Sequence, residues 1–101
     1  MNFKQIQKMM QQAQTLQKKM EEEMGRLSVE GTSGGGMVTV VMDGHKHVKA
    51  FTIRKEAVDP DDVELLQDLL VAACHDAARQ VDKALQSQLS GLMPPGMPGG
   101  M

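Results

Sequence analysis

An α+β fold of order α-β-β-β-α is what this 101-residue chain predicts, from three observations. Apolar residues from Phe3 to Leu27 recur on a seven-residue repeat. The span from Leu27 to Arg54 breaks into three short runs of β-forming residues. Asp59-Pro60-Asp61-Asp62 then opens a second long apolar stripe.

The first helix is expected over residues 3 to 27. Phe3, Met10, Gln17 and Met24 fall at one seam position, and Ile6, Ala13, Met20 and Leu27 at the other, as in a coiled coil. Met9 and Leu16 widen the seam. Such a stripe serves either the domain's own sheet alone or that sheet and a second chain. Phe3, Ile6, Met10 and Met20 are therefore candidate dimerisation residues.

Three antiparallel strands are expected at about 27 to 33, 37 to 42 and 47 to 54, joined through Gly34 to Gly36 and Asp43 to Lys46. The glycine triplet permits positive φ and close backbone approach, and Asp43-Gly44 is a strong hairpin signal. The middle strand is apolar on both faces, with Val38, Val40 and Met42 on one and Met37 and Val41 on the other. A doubly apolar strand calls for a second covering layer, which a partner subunit could supply. Val38 and Val40 join the dimerisation candidates.

The second helix is expected to start with Asp59 as N-cap and Pro60 at the first helical position, its acids set against the positive end of the dipole. Val63, Leu66, Leu70, Ala73, Ala77, Val81 and Ala84 form its stripe, with Leu69, Cys74 and Leu85 alongside. Gly91 is a stop signal after about Ser90. One domain over residues 1 to 90 is expected, followed by a disordered Gly/Pro/Met tail over 91 to 101.

Composition narrows the function. Phe3 and Phe51 are the two aromatics, so the core is built from aliphatic residues and methionine. A single cysteine, Cys74, fits a fold independent of disulfides. No apolar run approaches a membrane span, and a soluble, cytoplasmic protein is expected. The net charge of −2 is unevenly spread: residues 1 to 20 carry four lysines and no acid, whereas residues 21 to 101 carry seven basic and thirteen acidic groups.

No residue constellation supports catalysis. The glycine triplet lacks the Gly-Lys-Ser/Thr ending of a nucleotide loop and leads into a strand. His45 and His47 beside Asp43 fall short of a zinc ligand set, and Cys74 reads as a small core residue. Asp59, Asp61 and Asp62 read as capping charges, and Glu21 to Glu23 as a solvated helical face. No enzyme activity, cofactor, metal or small-molecule substrate is expected.

The remaining candidate is the face of the first helix opposite the seam. Lys4, Lys8, Gln11, Thr15 and Lys18 form one stripe there, flanked by Asn2, Gln5, Gln12 and Lys19. Lysines neutralise phosphates, and Gln and Asn bond phosphate oxygens or base edges. A solvated coil face has the same composition, so the residues alone leave both readings open. Glu21 to Glu23, one turn beyond Lys18 and Lys19, oppose binding.

Gly34-Gly35-Gly36-Met37-Val38-Thr39-Val40, the Asp43-Gly44 turn and the run from Val58 to Ala73 together resemble the YbaB/EbfC family of bacterial nucleoid-associated proteins, with the likeness covering residues 3 to 86. The resemblance implies a homodimer whose long helices project from a central sheet body like tweezer arms. It also implies duplex DNA binding with limited sequence preference, a nucleoid location, and a role in nucleoid organisation or gene expression. Carried onto this sequence, it marks Lys4, Lys8, Lys18 and Lys19 on the first helix and Arg79 and Lys83 on the second, with Gln11 added from the stripe. Departures are Arg54-Lys55-Glu56 for a common Asp-Pro-Glu, Cys74-His75 for an aliphatic residue and Asn, and Gln80 for a common Lys. The acidic balance and the tail support a different class, an adaptor dimer that engages another protein.

Overall fold

The computed structural model describes residues 2–92. Its elements are α1 (Phe3–Arg26), β1 (Val29–Ser33), β2 (Val38–Met42), β3 (Val48–Ile53), a 3₁₀ turn (Lys55–Ala57) and α2 (Val63–Leu92). This is the α-β-β-β-α order that the patterning predicts.

The strands form one antiparallel sheet in the order β1-β2-β3. Gly31 lies opposite Val40 and Val40 opposite Phe51, with a register shift between Val41 and Met42. Period-two alternation sends Val38, Val40 and Met42 to one face, where α2 lies on β1 and β2. Val38, Val40, Ala73, Ala77 and Val81 are all 0% exposed and make the centre of the core. Small residues on α2 bring the helix close to the sheet. At the closest point a Cβ on Gly31 would overlap Ala77 N and Ala73 O, so only glycine fits there. The outer edge of β1 is tied to α2 as well, since Thr32 N–H donates to Asp76 Oδ2 (2.9 Å) and Ser33 Oγ donates to Leu69 O (2.6 Å).

Strand β3 is different. All six of its residues are exposed, because α2 does not extend over it. By register, Phe51 and Ile53 share the face of Val40 and Val38, and Val48 that of Met42. They form an apolar shelf beside α2, exposed by 42%, 38% and 45% respectively.

Helix α1 buries no residue. It projects from the body, giving a molecule of 71 × 28 × 16 Å and a radius of gyration of 19.6 Å. A globular chain of this length would have a radius of about 13 Å. Asn2 is its N-cap, accepting the Gln5 N–H at 2.9 Å.

Several expectations are corrected. Val38 and Val40 have no surface left for a second chain, because α2 of their own chain covers them. The α1 seam does not pack on its own sheet, since residues 3 to 23 are exposed throughout. Asp59 caps a turn and not the helix: its Oδ1 accepts the Asp61 N–H and its carbonyl the Asp62 N–H, both at 2.9 Å. Pro60 sits in that turn, and Asp62 is the helix cap, accepting the Leu65 N–H at 3.3 Å. Helix α2 also passes through Gly91 to Leu92, two residues into the expected tail. The rest of that tail, residues 93–101, lies outside the described residues.

Candidate nucleic-acid interface

At 100° per residue, α1 places two unlike stripes on opposite sides. One holds Phe3, Ile6, Met10, Ala13, Met20 and Met24. The other holds Lys4, Lys8, Gln11 and Thr15, with Lys18 and Lys19 at its two margins. Both are exposed except at the half-buried Met24, and Phe3 is 73% accessible. The side chains of Lys8, Gln11, Gln12, Thr15, Leu16 and Lys19 line a shallow, open depression along the helix.

Within that depression Thr15 Oγ1 donates to Gln11 O at 2.9 Å, so the hydroxyl proton is already used and the oxygen remains an acceptor. The ion pairs among the described residues are Lys46–Asp82, His47–Asp43 and Arg79–Asp76. The four α1 lysines are in none of them. Glu22 falls on the lysine side near the base of the helix, so positive potential concentrates toward the free end.

The α2 candidates are placed apart from this stripe. Arg79 Nη2 lies 3.2 Å from Asp76 Oδ1, and that carboxylate also accepts the Thr32 N–H. Its charge is therefore partly spent on its own chain. Lys83, one turn on, is exposed and outside the ion pairs of the described residues. Arg54 and Lys55 follow β3, at the end of the sheet opposite the base of α1, and both are exposed.

Two carboxyl groups sit below the ordinary value of 3.8. Asp43 is lowered chiefly by the His47 N–H, against a raising effect of burial, with the His45 N–H adding to the lowering. Asp76 is lowered chiefly by the Thr32 N–H, again opposed by burial, with help from Arg79. Both serve as anchors of the backbone. No group of three or more His, Cys, Asp or Glu able to hold a metal occurs among the described residues.

Sequence reasoning missed the cap at Asn2, the anchoring of β1 by Asp76 and the role of Asp43. Asn2 preceding an apolar-periodic run is a readable cap signal. Asp76 carries no such signal, because its partner is 44 residues away.

A model of the YbaB/EbfC DNA-binding family matches residues 1–97. The chain belongs to this family. Among curated relatives, a nucleoid-associated protein of Chloroflexus aurantiacus is 47% identical over 92 residues, spanning 91% of this chain and 92% of the relative. A nucleoid-associated protein of Bacillus cereus is 47% identical over 85 residues, spanning 82% and 77%. An uncharacterized protein of Helicobacter pylori shares the fold, with a TM-score of 0.73 at 22% identity, over 93% of this chain and 99% of that one. The YbaB/EbfC family is a DNA-binding family and not an enzyme family.

Proposed function

We propose that this protein is a nucleoid-associated protein of the cytoplasm that binds duplex DNA as a homodimer through its projecting α1 helices. The observation that carries the reading is the stripe of Lys4, Lys8, Lys18 and Lys19, in no ion pair among the described residues, on a helix that buries no residue. Lysine meets phosphate as a point charge and carries no sequence information, so limited sequence preference follows. Gln11 and Gln12 beside the lysines add polar contacts. Through such binding the protein organises the nucleoid or influences gene expression.

The apolar surfaces support the dimer. The α1 stripe and the β3 shelf of Val48, Phe51 and Ile53 are both uncovered, and a small soluble subunit rarely leaves such area open. Phe3, Ile6, Met10 and Met20 remain interface residues in this reading, with Phe51 and Ile53 in the place of Val38 and Val40. Phe51→Glu should shift the mass measured by light scattering from dimer to monomer, and an unchanged dimer would remove β3 from the interface.

The deciding experiment is fluorescence anisotropy of labelled duplexes of unrelated sequence across a salt series. Affinity should fall linearly with log salt, with a slope of about −7 if the four α1 lysines of each subunit in a dimer all contact phosphate. A dimer that fails to bind at low salt would overturn the DNA reading in favour of a protein-binding adaptor.

A further inference from the structure

The base of α1 is held by a contact that the sequence does not announce. The last four carbonyls of a helix have no partner within it. In α1, Glu23 O accepts the Leu27 N–H at 3.0 Å, but Met24 O accepts the Gly44 N–H at 2.7 Å, from the turn between β2 and β3. A Cβ on Gly44 would lie 2.5 Å from Met24 O and 2.8 Å from Met24 Cα. Gly44 is not among the positive-φ residues; in its turn that conformation falls on Lys46, with φ 64°. Glycine is required at position 44 for close approach and not for a left-handed backbone.

The turn that presents Gly44 is itself braced. Asp43 is 6% exposed, and its Oδ1 accepts the N–H groups of His45 (2.8 Å) and His47 (3.0 Å). Asp43 N–H donates to His47 O at 3.1 Å, and Lys46 N–H donates to Asp43 O at 3.0 Å. Lys46 Nζ reaches Asp82 on α2 at 3.0 Å, joining the turn to the body's helix. Beyond this contact, α1 buries no residue, and the covalent link to β1 is Leu27-Ser28.

We infer that Gly44 and Asp43 are positioning residues for the α1 arm: the β2–β3 turn caps the helix base and sets the direction in which the lysine stripe is presented to DNA. The inference builds on the DNA-binding reading above. Leverage makes the contact matter. Lys4 lies twenty residues from Met24, about 30 Å along the helix, so a tilt of about 10° at the base moves Lys4 by about 5 Å. That displacement is enough to take a lysine out of reach of its phosphate.

The test compares Gly44→Ala with Gly35→Ala in the full chain. A Cβ on Gly35, in the other turn at φ 67°, meets nothing within 4 Å, so Gly35→Ala strains a turn without touching α1. The arm is read by the distance distribution between spin labels at Gln14→Cys and Asp68→Cys in a Cys74→Ser background, diluted with unlabelled protein. Gly44→Ala should broaden or shift that distribution and weaken duplex binding at least tenfold, with the sheet signal and mass state retained. Gly35→Ala should lower the melting temperature alone. Should Gly44→Ala fail to fold, Asp43→Ala removes the acceptor of two turn N–H groups, keeps Gly44, and should move the arm in the same way. An unchanged distance distribution in a folded Gly44→Ala or Asp43→Ala protein overturns the inference, as does an equal change in Gly35→Ala. If the distribution shifts while even the unmutated protein binds no duplex at low salt, the joint stands and the DNA reading fails.

Discussion

The two long helices of this protein have similar amphipathic patterns and opposite fates. Helix α2 packs on β1 and β2 with Ala73, Ala77 and Val81 at 0% exposure, whereas α1 buries nothing along 24 residues. The centres of the two stripes differ in side-chain size. Alanines on α2 let its backbone approach Gly31 to van der Waals contact, while Met, Leu, Ile and Phe on the α1 seam are large and meet no sheet. Stability therefore resides in the body. The arm buries no residue and meets the body at its base, where Met24 O accepts the Gly44 N–H.

The largest effect should come from closing the approach on which the body depends. Gly31→Ala places a methyl onto backbone atoms of Ala73 and Ala77, which cannot rotate away as a side-chain end can. A loss of about 3 kcal/mol or more is expected, at the upper end of overpacking costs. In a domain of ordinary stability this is a large share of the total. Thermal and urea denaturation would measure it, and a near-neutral result would mean that α2 is free to lift from the sheet.

Charge reversal on the arm should have the inverse profile. Lys4→Glu with Lys8→Glu is expected to weaken duplex binding by more than tenfold and to cut the salt slope by about half. The melting temperature should stay within the range of surface substitutions, about 0.5 kcal/mol. Anisotropy and calorimetry on the same preparation separate the two. Unchanged affinity would move the binding surface off α1.

The same contrast explains what could be read in the sequence. Element order followed from periodicity, because a seven-residue seam, alternating β-formers and a stripe from Val63 to Ala84 are local patterns. The lysine stripe was legible for the same reason. What covers each apolar face was not legible. Val38 and Val40 looked like interface residues because a doubly apolar strand does not say which layer comes from its own chain. Gly44 looked like a hairpin glycine because Asp-Gly is a turn signal, and its contact with Met24 depends on a partner 20 residues away. Asp59 looked like a helix cap because Asp-Pro starts either a helix or a turn.

A smaller effect concerns where α2 begins. Asp62→Ala removes the acceptor of the Leu65 N–H, and about 1 kcal/mol is expected, as for other lost N-caps. Asp59→Ala, which removes only the acceptor of a turn N–H, should cost less. Denaturation midpoints of the two variants would rank them, and the reverse order would restore Asp59 as the functional cap.

The smallest effect should be acidic and confined to the body. Asp76 has its pKa lowered in the folded state, above all by the Thr32 N–H at the edge of β1. A carboxyl lowered by folding contributes stability that is fully present above its ordinary value of 3.8 and is lost as pH falls through the lowered value. Asp43 behaves in the same direction, through the His47 and His45 N–H groups. Melting temperature should therefore be insensitive to these two groups near neutrality and should decline below about pH 4. Asp76→Asn should lower the neutral plateau and flatten the acid decline, because the amide keeps an acceptor oxygen but has no proton equilibrium. Amide exchange should locate the acid-induced opening at Thr32 and its neighbours in the sheet. Opening that begins in α1 would mean that the arm and not the β1 edge is the acid-sensitive part of the molecule.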